Sequence, residues 1–210
     1  VLDFATLRKN VVRDILDRSY KQGKLGANVG KDSNELNSFR RELMFCSLMA
    51  VEFTDHQGPW SGNEELRDVI LPALERIGGR LPYQLFQPNH AGPGAFFALV
   101  SYTRALLFLK DFVDEDWFFH RAEEGEKLFA ASRIQDLTHE YLNARALECV
   151  SCLNLYKLTE KQEYMDRCTE CLDQLILRQY PCGAQPYHTG MWIWGRKPAH
   201  VYQLLAASLM

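Results

Sequence analysis

The stretch from Thr138 to His188 constrains the fold more than any other part of the chain. Apolar residues recur at Leu142, Ala146, Cys149, Leu153 and Tyr156, and again at Tyr164, Cys168, Cys171, Leu175 and Ile176. Both runs follow the three-and-four spacing of an amphipathic helix. Only a tight turn at Leu158, Thr159, Glu160 and Lys161 separates them. A link that short returns the chain antiparallel, and two helices that each bury one stripe then pack stripe to stripe. A long loop follows, with Pro181, Cys182, Gly183, Pro186, Tyr187 and His188.

The rest of the chain reads as variations on this hairpin. Helix one is expected from Asp3 to Gln22, with Phe4, Leu7, Val11, Val12, Ile15 and Leu16 on one face. The glycine-rich segment 23–32 is a loop. It lacks both a preceding strand and a Gly-Lys-Ser/Thr ending, which excludes a phosphate loop. Ser33 caps helix two, which runs to Phe53, and Asn63 caps helix three, which runs to Ile77. Pro72 falls inside helix three and is expected to kink it. Helix four runs from Pro93, a welcome first-turn proline, to Phe112. The acidic turn at Asp114, Glu115 and Asp116 opens helix five, which ends near Ser132, and Lys197-Pro198 opens an eighth helix. A Gly-x-x-Pro-Tyr pattern stands at Gly79 to Tyr83 and again at Gly183 to Tyr187, two repeats of roughly fifty residues apart. No strand-like alternation of any length occurs. Repeated antiparallel hairpins with alternating short and long links predict an all-α chain, either an α-solenoid or a closed α/α toroid.

The totals narrow the classes. A chain of 210 residues with 47% apolar residues suits one ordinary domain with a substantial core. Lys+Arg 24 against Asp+Glu 27 gives a net charge of −3, so no general affinity for nucleic acid is expected. No apolar run reaches the roughly 18 residues of a membrane span. The chain opens on Val1 without a leader pattern, and its last ten residues are helical by pattern with no stop signal. A single helical-hairpin domain over 1–210, itself a fragment of a longer one, is the expectation.

The run Leu155, Tyr156, Lys157, Leu158, Thr159, Glu160, Lys161, Gln162, Glu163 and Tyr164, followed by the Pro-x-Gly-x-x-Pro-Tyr loop at Pro181 to Tyr187, resembles the hairpin of α/α-toroid carbohydrate-active proteins. That group includes six-hairpin glycosidases and toroid-type polysaccharide lyases. The resemblance covers the hairpins from Asn63 onward, and helices one and two by period alone. It implies an (α/α)n toroid-like arrangement, incomplete or small at four hairpins, with ligands where the long loops enter the inner helices. Those loops hold Tyr83, Gln84, Asn89 and His90, then Tyr141, then Gln185, Tyr187, His188, Trp192, Trp194 and Arg196. Aromatic faces stack on sugar rings, and amide and imidazole groups bond hydroxyls. The same aromatic residues are also what folds a long loop onto a core.

A glycosidase needs two carboxyl groups about 5 to 9.5 Å apart. The loops at 79–92 and 180–197 contain neither Asp nor Glu, which argues against hydrolysis. A lyase needs a donor to neutralise a uronate carboxylate and a base for the adjacent proton. Asn89, His90, Tyr141 and His188 are the expected catalytic set, with Tyr83, Gln84, Gln185, Tyr187, Trp192, Trp194 and Arg196 as substrate-binding residues. The Asn89-His90 pair before an inner helix resembles what toroid lyases place there. Charge adds to this reading, because the long-loop end gathers Lys24, Lys31, Arg80, Arg133, Arg196 and Lys197 while acids crowd the short turns. Inner-helix N-termini carry the same positive sign.

Cys149 and Cys152, with Cys168 and Cys171, form C-x2-C…C-x2-C with zinc-site spacing. Reflection of the hairpin about residue 160 sets Cys149 opposite Cys171 and Cys152 opposite Cys168. Three readings stay open: four thiolates on zinc, two disulfides in an oxidising compartment, or small core residues on the apolar stripe. The stripe positions weigh toward core, and neither a metal nor a cofactor is assigned. Cys46 sits in an apolar helix and reads as core.

These expectations amount to a carbohydrate-active protein that binds or cleaves an anionic polysaccharide at the long-loop end, with lyase-type β-elimination favoured over hydrolysis. The competing class is a helical-repeat scaffold that holds a protein partner without catalysis. Neither nucleic acid nor membrane is an expected partner.

Overall fold

The computed structural model describes residues 3–22, 35–78, 94–133 and 142–177. These residues form seven α-helices: α1 Phe4–Gln22, α2 Glu35–Thr54, α3 Glu64–Gly78, α4 Gly94–Leu109, α5 Glu115–Arg133, α6 Leu142–Thr159 and α7 Gln162–Leu177. A 3-10 turn, Lys110–Phe112, follows α4, and no strand occurs among the described residues. The chain is all-α. Helix eight falls outside the described residues.

Side-chain caps set three of the helix starts. Asn63 Oδ1 accepts the Leu66 N–H at 3.1 Å before α3. Asp114 Oδ1 accepts the N–H groups of Asp116 and Trp117 at 2.9 and 3.2 Å before α5. Asp3 accepts from Ala5 N–H at 3.1 Å before α1. Each satisfies a backbone donor that the first turn leaves unpaired. α3 runs on through Pro72. The carbonyl that this proline leaves without a donor belongs to Asp68, which is exposed and open to water.

Contacts along the helices give their directions. On α6 and α7, Arg145 reaches Cys171 while Cys149 reaches Cys168. On α4 and α5, Tyr102 reaches Glu124 while Lys110 lies over Phe118. Glu42 near the start of α2 pairs with Arg76 near the end of α3. Each consecutive pair is therefore antiparallel. Across the pairs the order reverses: Arg40 lies over Phe97 near the starts of α2 and α4, and Phe53 meets Phe112 near their ends. Asn154 on α6 donates to Thr103 on α4 at 3.1 Å, and the ends of both helices line one groove. So α2, α4 and α6 run parallel in a row, with α3, α5 and α7 packed against it as a second layer. One core cluster draws buried residues from all seven helices, including Leu16, Met49, Leu74, Leu99, Leu128, Leu155 and Cys171.

Three expected stripes are corrected. On α6, Ala146 and Cys149 are buried, but Leu153 and Tyr156 are only half-buried, at the edge of a stripe that Leu147, Cys152, Leu155 and Leu158 complete. On α1, Val12, Ile15 and Leu16 are buried, but Phe4 is 69% exposed and Leu7 and Val11 face solvent. Arg8 shares the inward flank with Val12 and Ile15, held by Glu52 at 2.8 Å and Asp55 at 2.5 Å, so the helix is rotated by its ion pairs. On α7 the stripe is Tyr164, Cys168, Cys171 and Leu175, whereas Ile176 is 53% exposed. One residue past Leu175 is about 100° further round the helix.

Candidate functional site

The expected catalytic residues Asn89, His90, Tyr141 and His188 lie outside the described residues. So do Tyr83, Gln84, Gln185, Tyr187, Trp192, Trp194 and Arg196. What the structure supplies is the frame on which their segments are mounted. Because α2, α4 and α6 are parallel, their N-termini open at one end, opposite the turns at 55–63, 110–114 and 160–161. The segments 23–34, 79–93 and 134–141 join the chain to those three starts.

The row also has a face turned away from the second layer. On α2 it carries Arg41, Met44 and Leu48; on α4, Phe97, Ser101, Arg104 and Phe108; on α6, Val150, Leu153 and Lys157. These positions follow the three-and-four spacing of one stripe per helix. Arg104 and Lys157 are exposed and stand at nearly the same level, since Thr103 is level with Asn154. No carboxylate among the described side chains of the row reaches this face. Glu42, Glu52 and Glu148 are all buried, paired with Arg76, with Arg8, and with Arg145 and Arg167 respectively. The open face is therefore cationic and part aromatic. The expected site residues fall on the loops and not on this face, for which the absence of any acid from α4 is the signal in the sequence.

Behind the face lies a buried charge cluster. Arg145 and Glu148, each 1% exposed, are joined at 2.9 Å. Arg167 donates to the other Glu148 oxygen through Nε at 2.8 Å and to Glu170 at 2.6 Å. Arg145 Nε has no hydrogen-bond partner. Between α4 and α5, the Tyr102 hydroxyl donates to Glu124 at 2.9 Å, and burial together with that carboxylate pushes the phenol well above its ordinary range.

The cysteine register differs from the expected one. Cys149 meets Cys168, with Sγ atoms 3.5 Å apart, rather than Cys171. Glu160 adopts φ of 58°, and this left-handed residue turns the chain back beside the last turn of α6, so α7 starts lower than a symmetric reflection places it. Among the described residues no cluster of three or more His, Cys, Asp or Glu could hold a metal, and the described cysteines are free thiols. Burial, then the neighbouring Cys168, pushes the Cys149 thiol up to about 12. Burial and Glu148 raise Cys171 to about 11. The core reading fits these positions, and Cys46 is buried as expected.

At the opposite end a groove of about 400 Å³ lies between the 3-10 turn and the α6–α7 turn. Asp111, Glu115 and Glu160 line it against Lys110, the wrong sign for an anion. No described helix is long and apolar enough to cross a membrane. Comparison with known families, curated proteins and solved structures yields no match for this chain.

Proposed function

We propose that this chain is a carbohydrate-active protein that takes an anionic polysaccharide at the end where α2, α4 and α6 begin and across their open face. β-Elimination is favoured over hydrolysis. The observation that carries this reading is the sorting of charge on the row: buried, arginine-paired carboxylates behind, and Arg104 and Lys157 with Phe97 and Phe108 in front. A chain of uronates needs cations spaced along it and flat apolar surfaces under its rings. Three parallel helix starts add positive potential at the same end. A hydrolytic carboxylate pair finds no support on this face, because Glu42, Glu52 and Glu148 are committed to ion pairs. The parallel row with its second layer supports an (α/α)n toroid segment. Asn89, His90 and Tyr141, on the segments that feed the row, and His188, whose segment follows α7 in the chain, are the proposed proton-transfer and carboxylate-neutralising groups.

One observation favours a second reading, a scaffold for a protein partner. Met44, Leu48 and Phe108 are exposed apolar residues on the same face, and such residues anchor protein interfaces. Titration with polygalacturonate, chondroitin sulfate and neutral dextran, followed by tryptophan fluorescence and ultraviolet absorbance, separates the two. A growing absorbance of unsaturated uronate is expected for the lyase, and saturable quenching by the acidic polymers alone for a binder. Silence across the panel overturns the carbohydrate reading in favour of the scaffold.

A further inference from the structure

We infer that Cys149 and Cys168 form an oxidisable dithiol, a modification site at which a hydroperoxide closes a reversible covalent clasp between α6 and α7. The geometry is specific to this pair. Their sulfurs are 3.5 Å apart, so about 1.5 Å of approach reaches the roughly 2.05 Å of a disulfide. The other two cysteines of the C-x2-C repeats do not share this arrangement. Cys152 is fully buried, and Cys171 Sγ accepts a hydrogen bond from Arg145 at 3.8 Å. Cys149 and Cys168 are themselves core residues at 7% and 9% exposure, so the oxidant proposed is a small neutral one.

The reaction balances without a further reagent. One sulfur, as thiolate, attacks a peroxide oxygen; the S–O bond forms, the O–O bond breaks, and the expelled hydroxide takes up the proton the thiol released, giving one water. The second sulfur then attacks the sulfenic sulfur; the S–S bond forms, the S–O bond breaks, and a second water leaves. Two thiols are oxidised and one peroxide is reduced. A dithiol reductant reverses the change by exchange. The groups around the pair are Glu148 on α6, with Arg145 and Arg167 shared between the helices, and the thiols of Cys152 and Cys171. Burial, then the neighbouring Cys168, raises the Cys149 thiol, so attack through Cys149 is slower at neutral pH than attack by an exposed thiol.

The test treats the purified chain with hydrogen peroxide, blocks remaining thiols with an alkylating agent under denaturing conditions, and maps tryptic peptides. The expected product is a reducible Cys149–Cys168 cross-link that persists in Cys182→Ser and disappears in Cys149→Ser. Full alkylation of both residues after oxidation overturns the proposal. So does linkage through Cys152, Cys171 or Cys182 in their place. Because the map is made on the unsubstituted chain, a folding defect in Cys149→Ser leaves the test intact.

Discussion

Arg145 is the largest fully buried side chain of the described residues, and its charge is matched at 2.9 Å by a Glu148 that also accepts from Arg167. A buried ion pair adds little relative to an apolar pair of the same size, yet removing one member strands the other charge in a medium of low polarity. Glu148→Gln keeps the volume and an acceptor but removes the counter-ion of Arg145. The expected cost is about 3 to 5 kcal/mol, read as a fall in the urea midpoint at unchanged slope. Arg145→Met combined with Glu148→Leu is expected to recover most of that loss. If Glu148→Gln unfolds at the unsubstituted midpoint, the cluster does not hold α6 and α7 together. Periodicity could not reveal this cluster, because a pattern argument counts every arginine as surface. Only the pairing at Glu148 makes the burial of Arg145 tolerable.

At the scale of the helix, period and turn chemistry were readable and rotation was not. The hairpin α6–α7, the caps Asn63 and Asp114, and the all-α class follow from spacing and side-chain oxygens alone. The exposure of Phe4, Leu7 and Val11 follows from Arg8 seeking Glu52 and Asp55, a long-range choice with no local signature. The offset of Cys149 from Cys171 likewise depends on one dihedral, the φ of 58° at Glu160. A glutamate held in the left-handed region carries a strain of about 1 kcal/mol that glycine avoids. Glu160→Gly is therefore expected to raise stability by up to about 0.6 kcal/mol, the relief of the turn less the added freedom of the unfolded chain. Thermal unfolding checks this, and a lowered midpoint would mean that the Glu160 side chain contributes more than its backbone costs. Gly125 serves the same element scale differently. A Cβ there would stand 3.5 Å from Leu155 and 3.6 Å from Thr103, ordinary van der Waals contact, so α5 lies against α4 and α6 at a distance that still admits a methyl group.

Across the whole molecule, the sorting of charge is what the sequence showed only in outline. The polarity between loop end and short-turn end could be counted from residue numbers, and the acids at Asp111, Glu115 and Glu160 do line the short-turn groove. The cationic open face could not be counted, since it exists only once the parallel helices α4 and α6 bring Arg104 and Lys157 onto one surface while Glu42, Glu52 and Glu148 turn inward. This face makes the last prediction. An exposed cation contributes about 1 kcal/mol to holding a carboxylate, roughly a fivefold change in Kd. Replacing Arg104 and Lys157 together by Ala should weaken binding of an acidic polysaccharide by about 25-fold if the two act independently. The pair should also flatten the dependence of Kd on salt, because fewer counter-ions are released from the polymer when it binds. Both side chains are exposed, so thermal stability should stay within about 0.5 kcal/mol, which separates loss of binding from loss of fold. Isothermal titration at two salt concentrations reads both quantities. An unchanged Kd with an unchanged salt slope would move the ligand off this face and onto the loops at the helix starts. A loss confined to protein partners, with polysaccharide never binding, would instead make Met44, Leu48 and Phe108 the working surface of a scaffold.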